Sequence, residues 1–155
     1  MIKIINKYKG KMAVNFEKKI LKLLKFVPKK DLIGINEIII TNKAYERKYH
    51  LAGGLYIYKR DLNRASIEIC IDVIFRQFPK ILFYFPFIST FLLANILYHE
   101  IGHHCERITH NNKKKDSEEF ADLYRKKIIH KAFKLWGYLI FPIFKIFKTL
   151  IKLKK

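Results

Sequence analysis

From Val14 to Val27 the apolar residues Val14, Phe16, Ile20, Leu21, Leu23, Leu24 and Val27 recur two to four positions apart among lysines. That spacing gathers them on one helical face, and Pro28 marks the end of the helix. Asp31 to Thr41 turns from polar to the β-branched run Ile38-Ile39-Ile40-Thr41, which predicts a short strand. After a break at Gly53-Gly54, residues 54–60 and 65–72 alternate or nearly so, with the polar Asp61-Leu62-Asn63-Arg64 between them. This pattern predicts a β-hairpin. Between Ile81 and Tyr98 there is no charge. The run is long enough to raise a transmembrane reading. Pro86 interrupts it, however, and it leads directly into His99-Glu100, which lipid would not accept cheaply. A Phe-rich loop followed by a buried helix from about Ile88 to Glu106 fits better. A further helix is predicted from about Asp116 to Lys134. The remaining tail is apolar, then lysine-rich, and predicts a basic hydrophobic helix. The predicted fold is therefore α+β: a small mixed sheet, an N-terminal helix, two central helices and the tail.

Composition narrows the class. With 155 residues, half of them hydrophobic, no internal repeat and no Ser/Gly linker, the chain predicts one domain, its core at about 14–130 and its tail at 131–155. Two cysteines, Cys70 and Cys105, exclude a disulfide framework. The lysine-studded N-terminus has no apolar segment of the secretory kind, which makes a cytoplasmic location the expectation. The formal net charge of +19 adds a second theme. It fits a solvated basic surface, or attachment at the inner face of an anionic membrane. Lysine outnumbers arginine 26 to 6, which argues against a nucleic-acid partner that is read through bidentate base contacts.

The chemistry sits in His99-Glu100-Ile101-Gly102-His103-His104. His99 and His103 are four apart, about 40° around a helix, so both imidazoles project from one face. That suits two ligands of a tetrahedral zinc ion. Glu100, next to the first ligand, can reach a bound water without binding the metal. By chance this pattern occurs in a chain of this composition with odds on the order of 1%. Gly102 costs roughly 1 kcal/mol in a helix relative to Ala, and close packing of the helix against the sheet would explain it. His104 points about 100° away from His103 and reads as a packed or hydrogen-bonded side chain. Cys105 reads as a buried small hydrophobe, Cys70 as a residue without a partner, and His50 and His130 as ordinary.

A third ligand is needed. The metzincin pattern fails, because Glu106 and Thr109 stand where it requires Gly and His. His110 lies in a polar loop and remains an alternative. Downstream, Asp116 with Glu119 fits a helix capping box, which leaves Glu118 free to ligate, with Glu119 as the other alternative. Asp122, one turn beyond Glu118, can accept the Nδ1–H of a ligand histidine.

HExxH followed by Glu118-Glu119-Phe120-Ala121-Asp122 resembles the gluzincin metallopeptidases, the E-x-x-A-D form looking like the CAAX-prenyl protease and its relatives. The small size and the order helix, strands, HExxH helix, Glu helix resemble the minigluzincins. The resemblance spans about residues 14–130. It implies a zinc-dependent endopeptidase in which His99, His103 and Glu118 hold zinc. Glu100 would move a proton from water to the leaving amine, and Asp122 would support a ligand. It also implies a peptide or protein substrate pairing with the strand nearest the site, taken as 65–72, and an oxyanion donor among Tyr124, His110 and Arg125. Two rival classes remain: a non-catalytic zinc-containing regulatory protein, and a basic membrane- or nucleic-acid-binding module. The many aromatics, from Phe75 to Phe91 and from Phe133 to Phe147, fit either core or a membrane interface.

Overall fold

The computed structural model describes residues 2–10, 14–44, 52–59, 64–76, 85–109 and 114–134. The elements run β1 (Lys3–Asn6), α1 (Phe16–Leu24), a 3-10 turn (Lys29–Leu32), β2 (Ile35–Thr41), β3 (Gly54–Lys59), β4 (Arg64–Cys70), α2 (Ile71–Arg76), α3 (Pro86–Thr109) and α4 (Lys114–Phe133). The fold is α+β, around a four-stranded mixed sheet of order β1-β2-β4-β3. β1, β2 and β4 are parallel neighbours, while β3 pairs antiparallel with β4 as the hairpin pattern predicts.

Local signals account for most boundaries. Asn15 caps α1, its side chain accepting the Lys18 N–H at 2.8 Å. Phe16, Ile20 and Leu23 are the buried face of that helix. β4 is buried along all but its first residue, as befits a central strand. Its Ile67 and Ile69 join Ile38 and Ile40 of β2 in the main core, completed by Leu97, Tyr98 and Ile101 of α3. One face of the sheet thus carries α1 and α3, and α4 packs on α3 as an outer layer.

Three expectations change. The chain enters the fold at Lys3, ahead of the expected boundary at 14, because β1 pairs in register with β2 from Lys3↔Glu37 to Asn6↔Ile40. Four residues among lysines carry no periodicity of their own, and this strand owes its existence to its partner. The helix α2 follows β4 directly, where residues 71–72 read as strand. Finally, β4 is flanked on both sides, by β2 and by β3. The strand at 65–72 therefore has no free edge to offer a peptide; the edge beside α3 belongs to β3. The tail from 135 and the Phe-rich residues 77–84 lie outside the described residues, as does His50.

Candidate metal centre

α3 carries His99 and His103 at the middle of its length, and α4 crosses it closely enough to present its own face to them. The close crossing is made at Gly102. A Cβ there would stand 2.6 Å from the Ala121 Cα and 3.0 Å from its carbonyl oxygen. The glycine therefore serves contact with α4, not with the sheet. Around α4, positions 118, 122 and 125 fall within about 60° of one another, so Glu118, Asp122 and Arg125 form one stripe.

That stripe meets the histidines. The two Nε2 atoms are 3.1 Å apart. The Glu118 carboxylate straddles them, Oε2 3.4 Å from His99 Nε2 and Oε1 3.6 Å from His103 Nε2. Two ligands at ~2.0–2.1 Å from a tetrahedral ion stand about 3.3–3.4 Å apart, so these separations match one face of such a site. Among the described residues, His99, His103 and Glu118 are the group able to hold a metal ion.

The protons are placed accordingly. Asp122 Oδ1 lies 3.0 Å from His99 Nδ1. An ionised carboxylate only accepts, so Nδ1 of His99 carries the hydrogen and its Nε2 keeps a lone pair. His103 is handled differently. Its Nδ1 is 3.1 Å from Ser117 Oγ, and Ser117 donates its hydroxyl hydrogen to Glu106 Oε2 at 3.2 Å. Ser117 must then accept from His103 Nδ1–H, which leaves that Nε2 bare as well. Two lone pairs facing each other at 3.1 Å repel in the absence of a cation, and this is the donor state a metal requires. Burial, with the neighbouring His99, lowers the His103 pKa and favours the neutral ring.

Glu100 is turned about 100° around α3 from His99, toward Gly54 at the sheet edge. Its carboxyl is buried, which pushes its pKa up to about 8, against the lowering effect of the Tyr56 backbone N–H that hydrogen-bonds to it. It leaves no room at Gly54, where a Cβ would come within 2.6 Å of Glu100 Oε1. Glu100 and His99 both line a cleft of about 500 Å³ whose apolar wall includes Ile74, Phe91, Leu92 and Ile96, with Arg125 at one side.

The alternatives separate cleanly. α4 begins at Lys114, so Asp116 stands inside the first turn and is not its cap. Glu119 is exposed and about 100° around the helix from Glu118, away from the histidines. His110 lies outside the described residues. Tyr124 is turned off the stripe and donates its hydroxyl to Asp31 Oδ2 at 2.8 Å, which removes it as an oxyanion donor. Arg125 does reach the cleft, where its Nη2 is 3.2 Å from Asp122 Oδ1. His104 is packed as expected, its Nε2–H on the Ile33 carbonyl at 2.8 Å and its Nδ1 accepting from Tyr56 at 3.1 Å. Cys105 and Cys70 are buried free thiols, each pushed up to about 11 chiefly by burial. Sequence reasoning missed Ser117 and Glu106; a serine one residue before Glu118 was the available signal. Comparison with known protein families, with curated proteins and with solved structures gives no match.

Proposed function

We propose that the protein is a zinc-dependent metallopeptidase of gluzincin type. The observation that carries this reading is the pair of bare Nε2 atoms facing the Glu118 carboxylate at tetrahedral spacing, with both Nδ1–H groups held from behind. Two imidazoles and a carboxylate form a borderline donor set that suits zinc and leaves a position for water or substrate. His99, His103 and Glu118 would hold the ion, which would supply Lewis acidity toward a carbonyl and acidify a bound water. Glu100 would accept the proton of the attacking water and return it to the leaving nitrogen in its ionised form, which a neighbouring cation favours against the burial that raises its pKa. The substrate is a peptide laid along the β3 edge: Gly53 turns its carbonyl inward to Cys70 N–H at 2.8 Å, which turns the Gly54 main chain outward beside the cleft.

A second reading keeps the metal and drops turnover. It is favoured by Glu100 being tied to the Tyr56 N–H and wedged against Gly54. One set of variants decides. Elemental mass spectrometry of chelator-free protein should find about one zinc per chain, lost in Glu118→Ala and kept in Glu119→Ala. Glu100→Gln should keep the zinc and lose peptide hydrolysis by a factor on the order of 10² or more. Hydrolysis undiminished in Glu100→Gln, or zinc retained at full occupancy by Glu118→Ala, would overturn the assignment; a zinc-loaded wild type without peptidase activity would favour the second reading.

A further inference from the structure

Two charged side chains follow His103 on α3. Glu106 is buried on the α4 side, where it accepts the Ser117 hydroxyl. Arg107 stands on the β3 side, about 20° from Glu100 and about 40° from His103 around the helix. It lies one turn past His103, about 6 Å further along the axis. The cleft lined by Phe91, Leu92 and Ile96 runs the other way, toward the start of α3. The metal centre is thus approached along an apolar wall from one end and beside a cation from the other.

β3 holds Arg107 in place. The Tyr56 hydroxyl meets His104 Nδ1 at 3.1 Å, which pins the strand against α3. Tyr58, two residues on, projects from the same face of the strand. Its ring lies under the Arg107 guanidinium, with Cζ 3.7 Å from the ring centroid. The ring attracts the charge without consuming the N–H donors, which remain for an acceptor. Among the described residues Arg107 has no carboxylate partner. Arg125, on the α4 side, differs in this respect, because its Nη2 is 3.2 Å from Asp122 Oδ1. Arg107 is also partly exposed, so a ligand at the metal centre can reach it.

Resting on the peptidase reading, we propose that Arg107 is a specificity-determining residue: it binds a carboxylate of the substrate about two residues from the scissile bond. One turn of α3 equals the length of about two residues of an extended peptide at ~3.3 Å each. The planar fork of a guanidinium matches the two oxygens of a carboxylate, and it keeps its charge at any working pH. That carboxylate is an Asp or Glu side chain or the substrate's own C-terminus, which offer the same two oxygens. A net charge of +19 attracts acidic peptides wherever their acids lie. Arg107 instead selects one position relative to the cut.

The test reads turnover and binding together. Two random peptide libraries, one C-terminally amidated and one with free C-termini, are digested by the zinc-loaded full chain, and cut sites are read by mass spectrometry. Acids concentrated about two residues from the cut in the amidated library identify a side chain as the source. Cutting of the free library alone, at that distance from its end, identifies the C-terminus. Arg107→Gln should abolish the preference and raise KM for the preferred peptide about tenfold or more. Its kcat and zinc content should stay as in wild type, a split that a merely structural arginine would not produce. Arg107→Lys, which keeps the charge but not the fork, should recover part of the loss. Peptides captured from the same libraries by Glu100→Gln, with and without Arg107→Gln, give the preference without turnover. If wild type cuts nothing but capture is carboxylate-selective and lost in Arg107→Gln, the peptidase reading falls and the carboxylate site stands. Cutting with no positional preference for a carboxylate, or with one that Arg107→Gln retains, would overturn the site and leave the peptidase reading intact. Neither cutting nor selective capture would overturn both.

Discussion

Two ring nitrogens 3.1 Å apart that converge beside one carboxylate are arranged to share a cation. What holds them so is behind the rings: Asp122 on His99, and the Ser117–Glu106 pair on His103. Such supports typically contribute 10–100-fold in metal affinity. Ser117→Ala and Asp122→Asn are therefore each expected to weaken zinc binding about tenfold in a competition titration against a chromophoric chelator. Ser117→Ala removes the acceptor of His103 Nδ1–H without touching a ligand, so its protein should still bind one zinc. Residue-scale chemistry of this kind was partly legible. His99, Glu100 and His103 follow from spacing alone, and Asp122 from its place one turn beyond Glu118. Ser117 and Glu106 do not, because a relay through a hydroxyl depends on where two helices cross, not on any spacing within one.

At the scale of elements, the site depends on how near α4 comes to α3. Gly102 sets that distance. In an isolated helix Gly→Ala would add about 1 kcal/mol of stability. Here the new methyl meets the Ala121 backbone at 2.6 Å, and backbone cannot turn aside as a side chain can. Overpacking of this sort costs typically 1–3 kcal/mol. Gly102→Ala is thus expected to lower the thermal midpoint despite its better propensity. It should also weaken zinc binding, because Glu118 and Asp122 move outward with α4. An unchanged midpoint with unchanged zinc affinity would show that the helices do not meet as described. The edge strand follows the same logic. β4 reads as the stronger strand because it is buried on both faces, and that burial is also why it is central. The weaker β3 is left at the edge beside the cleft, with Gly54 against Glu100, Tyr56 against His104 and Arg107 stacked 3.7 Å over the Tyr58 ring.

For the whole molecule, a metal held between α3 and α4 would act as a clamp. His99 and His103 come from one helix and Glu118 from the other, and unfolding separates them. Zinc at about 100 times its dissociation constant should stabilise the fold by about 2.7 kcal/mol. For a domain of this length that raises the thermal midpoint by about 5–10 °C. Calorimetry with and without added zinc checks this, and Glu118→Ala should abolish the shift while leaving the metal-free midpoint within about 2 °C, since the removed carboxylate is exposed. From sequence alone came the α+β class, the two central helices, the hairpin and the pairing of His99 with His103 on one helix face, since each is encoded by periodicity or spacing within one stretch of chain. Folding decided β1, the order of the strands, Glu118 over Glu119 and the relay through Ser117. Those features rest on which surfaces of distant segments meet, and such meetings are settled by packing of the whole core and not by any local pattern.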